Sequence, residues 1–522
     1  MDENAVADDV SHSIVVKNPS ESRPDTQSMS VRERVFAASV APVDISSLIL
    51  FRIGFGLIAA WWAIDYLTSG EVGASYVTPR FHFSYWLFGW VRPWPHAGPY
   101  FHFVALAFLA GCIAAGLAYR AVTLLFALGF TIFFLWDRTN YQNHYYLMLL
   151  LSWLLVLLPL HRAASLDVIN APAIASGILP TWMLWLVRIQ IGIPYVYGGL
   201  AKINSEWLAG GGLRDYLVTK GSVPLIGSWL VTNNAAVTLA WAGMLFDLGI
   251  VPLLTWRRTR MSAYCLVVAF HLCNHLQFSI HIFPWFMMLA TTVFFEPDWS
   301  RRLFNHVKPE HQSLWWSTTW KKYRWGTAIV ATVIVAELLV PLRHYLYSGD
   351  TGWHERGHYF AWRMMLRTKR SALRVYLTDP NTGATWNPDL LESISLRQVE
   401  VCARDPEMIL DLAHWLRDEY RQRTGRTVEV RCLVLCCYNG RKPQPLIDPT
   451  LDLANEPRGW HVRNWVCPQS EPLPTEPWKR PVREWQQSVL LPQLPKITMG
   501  PHGERLAAST NSPRQPSPLP AR

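Results

Sequence analysis

Long apolar segments are the feature that most constrains how this chain can fold. Each approaches the roughly 20 residues that an α-helix needs to cross a bilayer, and short polar stretches separate them. We count about nine such segments, at residues 48–67, 102–119, 121–136, 145–160, 182–200, 235–256, 262–280, 282–295 and 326–347. The pattern predicts a polytopic α-helical membrane protein.

The composition agrees with a membrane location. The chain is 50% hydrophobic, contains 27 Trp and has 16% charged residues, against about a quarter in typical soluble domains. Its formal net charge is +10, but no module with a basic and aromatic surface stands out, as nucleic-acid binding would require. We therefore expect membrane lipid, and no nucleic acid, among the partners.

Basic residues in short loops predict the orientation, because cytoplasmic loops carry an excess of Lys and Arg. If the N-terminus is cytoplasmic, the basic clusters at 257–260 and 301–324 both fall on the cytoplasmic side. The last span then exports everything after about residue 347. No Asn-x-Ser/Thr acceptor with x other than Pro occurs, which favours a bacterial inner membrane. The exported C-terminal domain is then expected to be periplasmic, or exoplasmic.

The chain divides into four predicted regions. Residues 1–46 are polar and mixed in charge, as in a disordered cytoplasmic tail. Residues 47–347 form a multi-span membrane domain that we expect to be catalytic, residues 348–496 an exoplasmic α+β or mainly β domain, and residues 497–522 a disordered tail rich in Pro, Ser and Arg.

Local signals within the C-terminal domain support its α+β or mainly β assignment. Residues 371–386 alternate around a hairpin turn, and residues 427–438 alternate as a strand. A helix is indicated by Asp405-Pro406 at its start and Gly425 at its end. Cys436 and Cys437 are adjacent on the predicted strand and should point to opposite faces. Five of the eight cysteines lie in the exported part, where a disulfide is possible.

Polar side chains occur at four places where an apolar bilayer would resist them. Ionisable groups inside a membrane are candidates for function. One is Asp247, which lies inside a predicted span and needs a partner if it is ionised. The other three places are the turn at 137–146, the residues after Gly198-Gly199, and the hairpin at 271–285. In that order, we single out two side chains at each place: Asn143 and His144, Lys202 and Trp207, and His271 and Asn274.

Three of these candidates have a structural alternative. Lys202 could extend its amine to the headgroups, His144 could cap its helix, and His271 could form a hydrogen bond across helices. His271 and His275 also have the i,i+4 spacing of a metal-ligand pair. A di-iron site would need further histidine pairs, and the other histidines are scattered singly, so we predict no metal.

Six motifs, in this order, resemble the vitamin K-dependent γ-glutamyl carboxylase family. Matches to that family, including these motifs, spread in order from about residue 51 to about residue 468 and so cover most of the chain. The motifs are NHYYL at 143–147, YGGLAK at 197–202 followed by WLxG at 207–210, HxxN at 271–274 followed by FSIxIF at 278–283, FEPDW at 295–299, WRMM at 362–365 and DPxxDL at 448–453.

The resemblance implies a reaction on reduced vitamin K, a naphthohydroquinone. In that family a lysine amine deprotonates the hydroquinone, O2 adds, and the strong base that forms takes a proton from the γ-carbon of a protein glutamate. CO2 then captures the carbanion, and vitamin K epoxide is the second product. Lys202 matches the catalytic lysine and His144 the functional histidine. Asn143, Trp207, His271 and Asn274 are expected to support them or to bind substrate or quinone.

The resemblance also implies partners, namely an isoprenoid quinone and a glutamate-containing protein or peptide. The chain after the last shared motif is shorter than in the animal enzymes, so an epoxidase that oxygenates the quinol without carboxylating a protein remains an alternative. A second alternative is a non-enzymatic membrane scaffold of the same fold that binds a quinone or lipid.

Overall fold

The computed structural model describes residues 30–220, 226–278, 281–304, 324–460 and 463–500. A helix occupies most of each of the nine predicted apolar segments. The helices up to residue 339 are α1 (Val31–Val40), α2 (Ser46–Thr68), α3 (Gly98–Ala115), α4 (Tyr119–Trp136), α5 (Asn143–Leu157), α6 (Leu166–Asn170), α7 (Thr181–Ala201), α8 (Ser205–Leu208), α9 (Gly211–Leu217), α10 (Gly227–Leu230), α11 (Asn233–Thr255), α12 (Arg260–Phe278), α13 (Phe283–Thr291), α14 (Trp299–Phe304) and α15 (Arg324–Leu339).

The helices confirm a membrane protein but do not confirm about nine spans. Among the described residues, four helices are long and apolar enough to cross a bilayer by length and composition, namely α2, α3, α4 and α11. α5 and the helical stretch Phe283–Phe294 are apolar but shorter. The other predicted segments are helical but do not qualify on these grounds.

Part of the region predicted as an N-terminal tail has regular structure. α1 starts at Ser30, whose side chain forms a capping box with Glu33. It is followed by β1 (Pro42–Asp44), which pairs antiparallel with β2 (Ile178–Pro180). The expectation of disorder is therefore wrong for residues 30–46, and the rest of that region lies outside the described residues.

Aromatic packing holds the first helices of the membrane domain together. Trp62 of α2 is almost completely buried and lies at the centre of this packing. Offset and edge-on ring contacts add to the stabilisation that burial provides. The centroids of five rings from α2, α3, α4 and α5 lie 4.8–5.7 Å from that of Trp62, and they belong to Tyr66, Phe103, Phe130, Phe133 and Tyr145.

α2 also buries a charged side chain that the sequence analysis did not single out. Arg52 is fully buried, and its guanidinium donates to the carbonyl oxygens of Leu160 at 2.7 Å and Ala164 at 2.6 Å. Gly116 ends α3 with φ +67°, and a Cβ there would lie 2.8 Å from Arg52 Nη1. Backbone carbonyls of the loop after α5 therefore pair with both terminal nitrogens of this cation, without a carboxylate.

The C-terminal domain is α+β, as predicted. Its antiparallel sheet has the order β4-β3-β5-β6, and β3 and β4 form the predicted hairpin, with Gly383 at φ +68° in the turn. The elements are α16 (Thr351–His354), β3 (Lys369–Thr378), β4 (Thr385–Trp386), α17 (Leu396–Cys402), α18 (Pro406–Thr424), β5 (Glu429–Tyr438), β6 (Gln444–Pro445) and α19 (Trp485–Ser488).

The signals that predicted α18 and β5 are confirmed in detail. The Asp405 side chain caps α18 by accepting from the backbone N–H groups of Glu407 and Met408, and Gly425 ends the helix at φ +70°. Cys436 and Cys437 lie in two different hydrophobic clusters, on opposite faces of β5. All eight cysteines are free.

The C-terminal domain packs on the loop that links α4 and α5. The carboxylate of Asp137 is buried there, and it accepts from Gln398 Nε2 of α17 at 2.7 Å. It also accepts from the backbone N–H of Thr139 at 2.8 Å and lies 3.2 Å from His82 Nδ1. This carboxylate therefore joins the two domains within the predicted turn at 137–146.

Asp137→Ala should lower the thermal stability of the purified protein. The substitution leaves the buried donors of Gln398 and Thr139 without their acceptor, at a cost of about 1–3 kcal/mol for each unsatisfied group. We expect a clear fall in unfolding temperature in detergent. Asp418→Ala is the control, because Asp418 is exposed and pairs with its neighbour Arg417. Equal unfolding temperatures for the two variants would contradict the account of this interface.

Candidate active site

Lys202 lies at the C-terminal end of α7 and points into the protein. It is 7% exposed, and its amine donates to Asp247 Oδ2 of α11. The side chain of Asp247 is equally well buried. The partner that Asp247 requires is therefore Lys202, and the amine does not extend to the headgroups.

Two glycines allow α7 and α11 to approach closely enough for this pair. A Cβ at Gly199 would lie 2.7 Å from the side chain of Leu248. A Cβ at Gly198 would lie 3.2 Å from Asp247 Oδ2. Larger residues at these positions would push α11, and with it the carboxylate, away from the amine.

The indole of Trp207 also lies against the amine. Lys202 Nζ lies 5.5 Å from the centroid of the indole, which is within the range of a cation–π interaction. Trp207 is buried, and its Nε1 donates to the carbonyl oxygen of Ala240 on α11 at 2.9 Å. Asn204 caps α8 by accepting from the backbone N–H of Trp207 at 2.8 Å, which fixes the turn between Lys202 and Trp207.

The WRMM motif at 362–365 closes the site from the C-terminal domain. A Cβ at Gly198 would lie 3.2 Å from Met364 Cε and 3.9 Å from the carbonyl oxygen of Trp362. Trp362 is buried, and its ring lies 4.9 Å from that of Tyr146 on α5. Residues that are distant in sequence therefore surround the amine and carboxylate with apolar groups.

His271 forms a hydrogen bond across helices. It is 1% exposed, and its Nε2 lies 2.8 Å from the hydroxyl oxygen of Tyr195 on α7. Tyr195 precedes Lys202 by two helical turns, so both side chains lie along one face of α7. In the described part of the chain, the other ring nitrogen of His271 has no hydrogen-bond partner. His271 therefore forms the hydrogen bond across helices that was its structural alternative. Its buried Nδ1 remains without a partner among the described residues.

His144 lies in the first turn of α5 and does not cap that helix. Gln142 is the N-cap residue, and no side chain accepts from the first turn. The buried imidazole stacks on Phe283, with 5.4 Å between ring centroids. Phe283 also contacts the His271 ring at 5.7 Å, so one phenyl ring lies against both histidines.

Asn143 and Asn274 have different surroundings. Asn143 Oδ1 accepts from the Tyr141 hydroxyl at 3.0 Å, and the same hydroxyl accepts from the backbone N–H of Phe360 at 2.8 Å. Asn143 is thereby tied to the C-terminal domain. Asn274 is half-buried and follows His271 on α12 by three residues. The structure shows no contact that brings Asn274 to Lys202.

The two histidines of the i,i+4 pair on α12 have different neighbours. His271 Nε2 is hydrogen-bonded to the Tyr195 hydroxyl, and the His275 ring lies against Trp285, with 5.6 Å between centroids. Within the residues that the structure describes, no group of three or more His, Cys, Asp or Glu side chains could hold a metal ion.

Two site residues, Tyr195 and Phe283, are not among the side chains singled out from the sequence. The signal for Asp247 is a carboxylate inside a predicted span, which requires a partner but does not identify it as Lys202. Tyr195 and Phe283 carry no such signal, because aromatic residues are common throughout these helices. Their roles depend on helix packing.

The candidate site thus consists of two polar clusters. One is the amine–carboxylate pair of Lys202 and Asp247, and the other is formed by His144 and His271, whose rings both contact Phe283. Among the described contacts none joins Lys202 to His144 directly, and α7 links the clusters through Tyr195. A buried amine beside a carboxylate can exchange protons with a ligand while apolar walls exclude water.

Comparison with known protein families gives one match in the membrane domain and one in the C-terminal region. Residues 40–299 match the HTTM domain. Residues 322–472 match the lumenal domain of vitamin K-dependent gamma-carboxylase. No solved structure matches the chain. The two matched regions together cover most of the chain and contain the side chains of the site, and the second match implies vitamin K as the cofactor and an exoplasmic C-terminal domain.

The chain therefore belongs to the vitamin K-dependent gamma-carboxylase family, with an HTTM domain followed by the lumenal domain of that family.

Proposed function

We propose that this protein is a vitamin K-dependent γ-glutamyl carboxylase that also forms vitamin K epoxide. The observation that carries the proposal is the buried pair of Lys202 and Asp247 between α7 and α11. The proposed substrates are reduced vitamin K, O2, CO2 and a glutamate-containing protein or peptide. The proposed location is a bacterial inner membrane, with a cytoplasmic N-terminus.

The residues around the pair fit a reduced naphthoquinone. The apolar surfaces of Trp207, Trp362 and Met364 suit an aromatic ring system, and the amine provides a polar group at the same place. The unpartnered ring nitrogen of His271 is a second buried polar atom in this part of the protein. When bound, reduced vitamin K supplies, by its reaction with O2, the strong base that removes a proton from the γ-carbon of glutamate.

Lys202 and Asp247 act together as the initial base in this proposal. The pair carries no net charge, which lowers the cost of keeping it in an apolar site. Lys202 passes a proton from its amine to Asp247 and takes the hydroxyl proton of the bound quinol in the same event. Asp247 thus ends with the proton, and the ammonium beside it balances the charge of the deprotonated quinol.

His144 is the second proposed catalytic residue. Its buried imidazole lies beside Phe283, and a neutral imidazole can donate or accept one proton. In the proposal it orients the glutamate carboxylate or transfers a proton near the γ-carbon. Asn143 holds the start of α5 through Tyr141, and Tyr195 orients His271. Exclusion of water by the surrounding aromatic rings protects the carbanion until CO2 captures it.

Lys202→Ala should abolish epoxide formation. Loss of a general base lowers a rate by about 10²–10⁴-fold, and the variant also leaves Asp247 without a partner. The measurement is conversion of vitamin K hydroquinone to the epoxide by purified protein in detergent. Lys479→Ala, which alters an exposed lysine, is the control and should keep its activity. An unchanged rate in Lys202→Ala would eliminate Lys202 as the base.

Asp247→Asn should slow epoxide formation while leaving quinol binding nearly intact. The amide keeps a hydrogen-bond acceptor for the amine but cannot take up its proton. We expect kcat to fall by about 10–100-fold and KM for the quinol to change by less than about threefold. Asp418→Asn, at an exposed carboxylate that pairs with its neighbour Arg417, is the control. A normal kcat in Asp247→Asn would show that the carboxylate takes no part in proton transfer.

Carboxylation is a separate prediction. Labelled bicarbonate should enter a glutamyl peptide when vitamin K hydroquinone and O2 are present, and the matching aspartyl peptide, one methylene shorter, should remain unlabelled. Epoxide formation without label in the glutamyl peptide would favour the alternative of an epoxidase that does not carboxylate. Absence of both products would favour the non-enzymatic scaffold.

A further inference from the structure

A second carboxylate lies four residues after Lys202 and is held by the C-terminal domain. Glu206 is in α8, directly before Trp207. Its Oε2 accepts from Asn439 Nδ2 at 2.7 Å, and its Oε1 accepts from Arg441 Nη2. The two donors follow β5, more than 200 residues later in the chain.

The two donors are themselves held firmly. Asn439 and Arg441 are both buried. Asn439 has φ +48°, a conformation that Asn tolerates better than most residues, and its Oδ1 accepts from the backbone N–H of Thr368 at 2.9 Å. Arg441 Nε donates to the carbonyl oxygen of Glu471 at 2.8 Å. The turn after β5 thus presents a fixed pair of donors to Glu206.

The segment between Lys202 and Trp207 has little freedom once Glu206 is held. Its C-terminal end carries the indole that covers the amine, and Trp207 also packs with Leu366 of the C-terminal domain. Its centre is fixed by the Asn204 cap. Movement of the Glu206 carboxylate would therefore shift both the amine and the indole.

We propose that Glu206 and Arg441 are positioning residues, through which the C-terminal domain holds Lys202 against Asp247 and Trp207 over the amine. This inference rests on the proposed role of Lys202 as the base. It makes the proton-transfer geometry inside the membrane domain dependent on the conformation of the turn after β5. A displacement of about 1 Å at reacting groups can cost about 100-fold in rate. Loss of the contact between Glu206 and Arg441 can therefore lower the reaction rate strongly.

The alternative is that the contact merely holds the two domains together. The chain offers a matched control for that role, because Asp215 of α9 makes a second contact between the same parts. Its Oδ2 accepts from the Thr368 hydroxyl at 2.7 Å, and its Oδ1 lies 3.3 Å from Arg370 Nη2. Loss of this second contact removes a similar link without touching the segment that carries Lys202.

The test compares Arg441→Ala, Glu206→Gln and Asp215→Asn, together with the exchange of Glu206→Arg and Arg441→Glu in one protein. We expect Arg441→Ala to lower kcat for epoxide formation about 10-fold, with KM for the quinol within about threefold. Glu206→Gln should have a smaller effect, and the exchange should recover part of the loss. Asp215→Asn should leave kcat near that of the unaltered protein. An unchanged kcat in Arg441→Ala, or an equal loss in Asp215→Asn, would overturn the inference.

A second readout does not depend on activity. Lys202 in the unaltered protein should react slowly with an amine-acylating reagent, as followed by mass spectrometry of the digested protein, and Arg441→Ala should speed this reaction more than Asp215→Asn. If the protein forms no epoxide, the proposed function fails while this comparison still tests the positioning. Equal acylation rates at Lys202 in all variants would show that Glu206 and Arg441 do not position it.

Discussion

The contact between the Lys202 amine and the Asp247 carboxylate is the interaction on which the rest of the site depends. Two charged groups in an apolar setting cost several kcal/mol each in lost hydration, and loss of one partner costs about 3–5 kcal/mol because the other remains uncompensated. Such a pair persists only where the surrounding helices fix its geometry. Gly198 and Gly199 let the helices approach, and the indole of Trp207 lies within cation–π distance of the amine.

This constraint explains why the C-terminal domain packs so closely on the membrane domain. Asp137 beside the start of α5 is held by Gln398, and Glu206 after α7 is held by Asn439 and Arg441. The WRMM motif contacts both helices, with Trp362 against Tyr146 of α5 and Met364 close to Gly198 of α7. The helices that carry His144 and Lys202 are thus both tied to the C-terminal domain, one through α17 and the other through the turn after β5.

Local patterns in the sequence predicted the elements well. The apolar segments became helices, and Asp405, Pro406 and Gly425 marked the ends of α18 because capping depends on adjacent residues. The tail assignment failed at residues 30–46, where β1 pairs with β2 more than a hundred residues later. The count of about nine spans was not confirmed, since helix length and composition differ from the extent of an apolar run.

The contacts within the site could not be predicted from the sequence, because they join residues that are distant in the chain. Lys202 and His144 stood out as polar groups near apolar helices, but the partner of Lys202 lies 45 residues away. Glu206 was visible beside Lys202, yet nothing local indicated that Arg441 would hold it. The hydrogen bond between His271 and Tyr195 likewise depends on how α7 and α12 pack.

The most direct test of the account is infrared difference spectroscopy of the anaerobic complex with vitamin K hydroquinone. Because Asp247 is proposed to hold the proton that Lys202 releases, deprotonation of the quinol should be accompanied by the carbonyl stretch of a protonated carboxyl group. That band should be absent in Asp247→Asn. A deprotonated quinol without this band in the unaltered protein, or the same band in Asp247→Asn, would contradict a paired amine and carboxylate acting as the base.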